Sequence, residues 1–225
     1  MITFLNKIAR SCREKNFFFK RFFDILTDYL WVDKMLVLKF DLETIDLTKK
    51  HEKTEIIWKL ATEEDCEKWF QSKKDGFGTK EGQRMSDLIR NGGCFILGIS
   101  DDAQASDKSS DIPVCYAACD FSKRLLHNKR FVVQSREGFI FNVFTSAENR
   151  GQGLAAGAIT CLCREAKERS CSVLFIDISS ANVASLRTSE KAGAVPSGSL
   201  YYQIRIFKKS FLWPLGPLKD RFVSR

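Results

Sequence analysis

One short stretch, Arg150-Gly151-Gln152-Gly153-Leu154-Ala155, constrains this chain more than any other. It follows the apolar run Gly138-Phe139-Ile140-Phe141-Asn142-Val143-Phe144 and opens a helical pattern that continues to about Arg169. A strand, a glycine-rich turn and a helix start form an anion-binding order, because the first N–H groups of a helix lack intrahelical acceptors and point outward. Glycine lets a phosphate come close to the backbone, since no Cβ stands in the way.

Three phosphate loops compete for this stretch. A P-loop requires G-x-x-x-x-G-K-[ST], and neither the lysine nor the spacing is present. A dinucleotide fingerprint requires G-x-G-x-x-G at the start of a βαβ unit. Gly151, Gly153 and Ala156-Gly157 come near it, but they lie late in the chain and no acidic residue closes a second strand about 20 residues on; the strand around Asp177 continues past it. The third loop is R-x-x-G-x-A. Downstream of it stand the strand Val173–Ile178 and then Asn182, Ser185, Glu190, Lys191 and Gly193. The two signals together resemble the GNAT (Gcn5-related N-acetyltransferase) superfamily, whose second segment reads N-x-x-S/A-x(4)-E-K-x-G-F, with Ala194 here in the place of the last residue. The resemblance covers roughly Glu55 to Phe207.

With 44% hydrophobic residues the chain is globular rather than disordered. At 225 residues the chain fits one domain with additions. No apolar run approaches the roughly 20 residues that span a bilayer, and no signal peptide is recognisable, so a cytoplasmic location is expected. Eight cysteines and two histidines include no C-x-x-C pair, which argues for reduced thiols and against a metal site. Cys163 as a nucleophile, or any Ser-His-Asp arrangement, lacks a histidine in a motif. The net charge of +8 concentrates in 7–21, 123–136 and 208–225; without a nucleic-acid motif it reads as a basic surface, and no nucleic-acid partner is expected.

Residues 1–50 fall outside the resemblance and read as an N-terminal amphipathic extension. Phe17, Phe18, Phe19, Phe22, Phe23, Leu26, Tyr29 and Leu30 recur at helical spacing, predicting a helix over about 16–31, followed by a strand or short apolar segment at Met35–Phe40. An added packing layer is the plainer reading of this extension. Weak membrane-surface contact is the sharper one, because Phe and Trp beside Lys and Arg suit an interface. Residues 51–207 form the acetyltransferase domain and 208–225 a basic and apolar tail. Within the domain the pattern reads β-α-α-β-β-β-α-β-α-β-β, with Thr62 as an N-cap, a loop over 100–111 and an extra strand at Phe131–Gln134. The resemblance implies an α/β (α+β) fold with a mixed central sheet, helices on both faces and splayed fourth and fifth strands.

It also implies the site. Val143, Phe144 and Thr145 would hold the pantetheine arm of acetyl-CoA. Arg150, Gly151, Gln152, Gly153, Leu154, Ala155 and Ala156 would wrap its pyrophosphate. Asn182, with Ser185, would contact the arm. Asp177 matches a general base of ribosomal-protein acetyltransferases, with a structural aspartate as the alternative. Glu137 and Asn142 are alternatives for orienting a water. The family's thiolate-protonating tyrosine is replaced by Ser189, so Tyr201 or Tyr202 would substitute, or solvent would. The expected reaction is N-acetylation of a primary amine by direct transfer, in a monomer or homodimer. The basic loop at 123–136 favours an anionic acceptor, such as a nucleotide-linked amino sugar or an acidic peptide, over a polyamine. A non-catalytic CoA-binding module and an acyltransferase using longer chains near a membrane are the rival readings.

Overall fold

The computed structural model describes residues 30–52, 55–71, 76–100, 113–122, 131–206 and 209–222. Eight strands form one mixed sheet: β1 (Leu30–Asp41), β2 (Ile56–Leu60), β3 (Cys94–Ser100), β4 (Cys115–Asp120), β5 (Glu137–Thr145), β6 (Val173–Ser179), β7 (Val195–Ile206) and β8 (Lys209–Leu215). Their order is β2-β3-β4-β5-β6-β1-β7-β8, and β5 with β6 is the parallel pair in it. Four helices accompany them: α1 (Glu63–Gln71), α2 (Gly76–Arg90), α3 (Leu154–Glu168) and α4 (Val183–Lys191). Over 51–206 this is the expected element order except at its end: one strand, β7, fills the place of the last expected pair, and the final strand, β8, lies in the stretch expected to be a tail. Thr62 caps α1 as expected: its Oγ1 accepts from Asp65 N at 3.2 Å, and Asp65 Oδ2 accepts from Thr62 N at 2.8 Å.

The sheet buries both faces. On one, α3 lays Leu154, Ile159, Leu162 and Cys163 against Leu38, Phe40, Ile96, Ile140 and Ile176. On the other, Met85 and Leu88 of α2 and Cys66 of α1 pack on Phe95, Leu97 and Tyr116. A further cluster on that second face joins Val37, Phe139, Phe175 and Tyr201 to Phe131.

Three expectations need correction. The boundary at residue 50 cuts through the sheet, because β1 runs antiparallel between β6 and β7, with Val37 opposite both Asp177 and Ser199. Its Leu38 and Phe40 face α3 and its Val37 the other side, so both faces of this strand are core. A strand buried on both sides reads as a continuous apolar run, which is what residues 35–38 are. The tail is likewise structural: β8 pairs with β7 from Leu215↔Leu200 to Lys209↔Ile206. The extra strand at 131–134 is reduced to a single bridge between Phe131 and Phe222. The helix expected over about 16–31 lies outside the described residues except Leu30 and Trp31, which open β1. No described helix is long and apolar enough to cross a membrane.

Candidate active site

β5 and β6 pair from Glu137↔Val173 to Ile140↔Ile176, and there the pairing stops. Both strands continue, β5 to Thr145 and β6 to Ser179, so a cleft opens between them. Against β4 the same strand carries a bulge: Ala118 pairs with Phe141 and Tyr116 with Phe144, leaving Asn142 and Val143 across from one residue. Asn142 takes a left-handed φ of 55° there, and asparagine tolerates that conformation better than most residues do. The bulge turns the strand at the point where the cleft begins.

The cleft has a volume of about 670 Å³, and its walls include Asn142, Val143, Phe144, Thr145, Asp177 and Asn182. A second hollow of about 330 Å³ shares Thr145, Arg150 and Ala155 with it and adds Gly151, Gly153, Arg187 and Lys191. The two are one groove. Its second half is the N-terminus of α3, where Gly153 is the N-cap at φ 85° and no side chain caps the helix. The first N–H groups of α3 therefore face the groove with three cationic side chains around them, a seat for an anionic group. Gly151 has a φ of 77°, and a Cβ there would meet nothing within 4 Å, whereas a Cβ on Gly153 would overlap the carbonyl oxygen of His51.

Segment 47–52 lies along α3, with the His51 carbonyl against Gly153 and the Glu52 carboxylate against Gly157. Arg164 donates from Nη2 to Leu47 O at 2.6 Å, and Trp58 Nε1 donates to Glu52 Oε1 at 2.8 Å. Glu52 Oε2 also accepts from His51 N at 2.9 Å. His51 is buried, and burial followed by the charges of Lys191 and Lys49 holds its imidazole below the ordinary histidine range.

The expected donor-binding residues assemble here. Val143, Phe144, Asn182 and Ser185 border the cleft; Gly151, Gly153, Leu154 and Ala156 border the hollow; Thr145, Arg150 and Ala155 border both. Gln152 borders neither. Asn182 is also the N-cap of α4, its Oδ1 accepting from Ser185 N at 3.1 Å.

The expected catalytic residues divide. Asp177 lines the cleft just past the last paired residue of β6. Tyr201 donates its hydroxyl hydrogen to Asp177 Oδ2 and is itself buried at 1% exposure. It therefore holds the carboxylate from behind and does not border the cleft, which corrects its assignment as an acid. Tyr202 faces away, because adjacent strand residues point to opposite sides of the sheet. Glu137 lies at the closed end of β5, where it accepts from Arg221 Nη2 and from Gln134 N at 2.9 Å; it is a structural ion pair remote from the cleft. Cys163 is wholly buried and its thiol is pushed far up by that burial, so it is no nucleophile.

Several residues were not legible as site residues. Glu81 on α2, 9% exposed, accepts from Asn142 Nδ2 at 2.7 Å. Tyr116 stacks on Phe144 at 4.9 Å, and burial, then Glu81, pushes its phenol up to about 12. Asp33 accepts from Ser179 Oγ at 2.8 Å. None sits in a motif or lines the cleft; each touches one of its wall residues, Asn142, Phe144 or Ser179, and only the fold brings it there. Among the described residues no group of metal-ligating side chains is assembled.

The family model described as the acetyltransferase (GNAT) family matches residues 55–194. Comparison with curated proteins finds no match. Solved structures that share the fold include a Drosophila protein (10% identity, covering 80% of this chain and 52% of that one, TM-score 0.54). An acetyltransferase of the GNAT family from Colwellia psychrerythraea is 15% identical, covering 84% and 62%, with a TM-score of 0.50. A functionally unknown conserved protein from Staphylococcus epidermidis is 9% identical, covering 85% and 68%, with a TM-score of 0.51. The chain thus spans little more than half the length of the first of these and under two thirds of the second.

Proposed function

This chain belongs to the acetyltransferase (GNAT) family, and from that premise we propose that it moves an acetyl group from acetyl-CoA to a primary amine by direct transfer in a ternary complex. The observation that carries the reading is the joined groove: strands that part after Ile140 and Ile176 lead straight to an uncapped helix N-terminus ringed by Arg150, Arg187 and Lys191. An extended thiol arm fits the first half and a diphosphate the second.

In this reading the outer backbone edge of Val143–Thr145 pairs with the pantetheine amides, and the N–H groups of α3 take the pyrophosphate. The thioester then lies beside Asn142 and Asp177. A neutral amine attacks the thioester carbonyl and forms the C–N bond; Asp177 takes the proton the nitrogen sheds. Collapse breaks the C–S bond and releases CoA as thiolate, which takes a proton from solvent. Tyr201 is a positioning residue that fixes the Asp177 carboxylate. A cytoplasmic location is part of the same proposal.

Calorimetric titration with acetyl-CoA, followed by mass-spectrometric screening of amines, tests the proposal. Absence of acetyl-CoA binding would sink it. Binding without turnover on any amine would leave the non-catalytic module in its place.

A further inference from the structure

Successive residues of a strand point to opposite faces of the sheet, and β5 breaks that rule once. Ile140 packs with the α3 cluster and Phe141 with the α2 cluster, as alternation requires. Asn142 should then return to the α3 side, yet its Nδ2 donates to Glu81 Oε1 on α2 at 2.7 Å. Val143 packs with the α3 cluster again, and Phe144 stacks on Tyr116 of the α2 cluster. Asn142 is therefore the inserted residue of the bulge, in its left-handed conformation with its side chain against α2. Glu81 is buried, and Arg84, one turn on, pairs with it at 3.4 Å and lies over the Phe141 ring at 5.6 Å. α2 thus grips both residues at the bend.

The same insertion sets which backbone groups face the cleft. In a strand the N–H and C=O of one residue point to one edge and those of the next residue to the other. Ser146 N donates to Val114 O at 2.9 Å, which puts the groups of Ser146 and Phe144 on the edge toward β4. Val143 and Thr145 turn theirs to the opposite edge, where β6 has parted from β5. Thr145 O accepts there from Arg150 Nε at 3.4 Å. A slip of one residue would exchange the two edges and turn every side chain of 143–145 to the other face.

Resting on the acetyltransferase reading, we propose that Glu81 is a positioning residue of the donor site: its bond to Asn142 pins the bulge, and the pinned bulge presents the backbone groups of Val143 and Thr145 to the pantetheine amides. Asn142 is a wall of the cleft, and Glu81 stands behind it and acts through it. A left-handed φ of 55° is unfavourable for a residue with a side chain, so the strand relaxes toward regular pairing when nothing holds it. The phosphate end is built separately, from the N-terminus of α3, and does not depend on this pin.

Two ligands separate the halves of the groove. Acetyl-CoA uses both, whereas 3′-phosphoadenosine 5′-diphosphate carries the phosphates without the arm. In calorimetry with the full chain, Glu81→Leu is expected to raise the Kd for acetyl-CoA by about tenfold, the loss of one buried hydrogen bond, and to leave that of the armless ligand within about twofold. Glu81→Gln keeps an accepting oxygen and gives up only the ion pair with half-exposed Arg84, so its acetyl-CoA affinity should stay within about threefold of the parent's. Amide exchange followed residue by residue reads the pin with no ligand present. The parent should protect Phe144 and Ser146 and leave Val143 and Thr145 open; Glu81→Leu should lose that contrast and Glu81→Gln keep it. Thermal unfolding checks each variant; if Glu81→Leu does not fold, Glu81→Ala takes its place with the same expectations. Equal weakening of both ligands, an unchanged acetyl-CoA affinity or exchange contrast in Glu81→Leu, or a Glu81→Gln no better than Glu81→Leu overturns the inference. Failure of the parent to bind acetyl-CoA sinks the donor reading instead, and the exchange contrast still decides whether Glu81 pins the bulge.

Discussion

The carbonyl oxygen of His51 occupies the space a Cβ on Gly153 would need. The loop proposed to receive the phosphates is thereby fixed from above by a segment about 100 residues earlier in the chain, and its two glycines answer to different constraints. Gly151→Ala meets open space and carries only the strain of a positive φ, about 1–2 kcal/mol. Gly153→Ala adds a backbone collision that only movement of 47–52 can relieve. Gly153→Ala should therefore lower the melting temperature and the CoA affinity more than Gly151→Ala, as measured by calorimetry of the two variants. Equal effects would mean that segment 47–52 yields freely.

Asp177→Asn should lower kcat/KM by roughly 10²–10⁴-fold with the Kd for CoA little changed, since it removes the proton acceptor and touches no phosphate contact. Tyr201→Phe takes away the hydrogen bond that favours the charged carboxylate. The acid limb of its kcat/KM profile should then move to higher pH. An unmoved limb would show that Asp177 is not the base.

His51 gives stability a pH dependence. Its imidazole titrates lower in the folded protein than in the unfolded chain, through burial and then through Lys191 and Lys49. Below about pH 6.5 the unfolded chain therefore takes up a proton that the folded protein resists, and folding is weakened as pH falls through that value. His51→Leu should flatten this part of the melting-temperature profile between about pH 5 and 7. A profile that stays parallel to that of the parent protein would exclude the effect.

The thiols of Cys66, Cys115 and Cys161 should be inert while the protein is folded. Burial pushes Cys66 up to about 12 and Cys115 and Cys161 up to about 11. At pH 8 a thiol near 11 is thiolate only about once in a thousand molecules. Iodoacetamide should therefore label these three only after denaturant is added, as read by peptide mass spectrometry.

Phe40 is wholly buried on β1, and Phe40→Ala should cost about 3–5 kcal/mol in denaturant unfolding. Removal of residues 1–50 should abolish cooperative folding, because it deletes the strand between β6 and β7. A folded, CoA-binding product of that deletion would show that β1 is dispensable.

Much of the fold was legible because its signals are local. The alternation of strand and helix patterns over 55–206, the Thr62 cap and the glycines of 151–153 each depend on residues a few positions apart. The residues that gather along the groove were legible for the same reason: a helix start beside a strand end needs no distant partner. What escaped was long-range. Residues 35–40 read as a strand, but nothing local places that strand between β6 and β7. Glu137 and Asp177 look alike as carboxylates on apolar strands; one is paired with Arg221 and the other lines the cleft.

The sequence by itself determined the family and the glycine turn with the helix start behind it, because backbone donors at a helix N-terminus are fixed by the residues of that turn alone. The tertiary structure decided the rest. It set Tyr201 behind Asp177 and so separated the wall of the site from its support. It brought Glu81 of α2 against Asn142 and Asp33 of β1 against Ser179, two wall residues of the cleft. Contacts between residues far apart in the chain are made by the whole fold, so no local pattern reveals them.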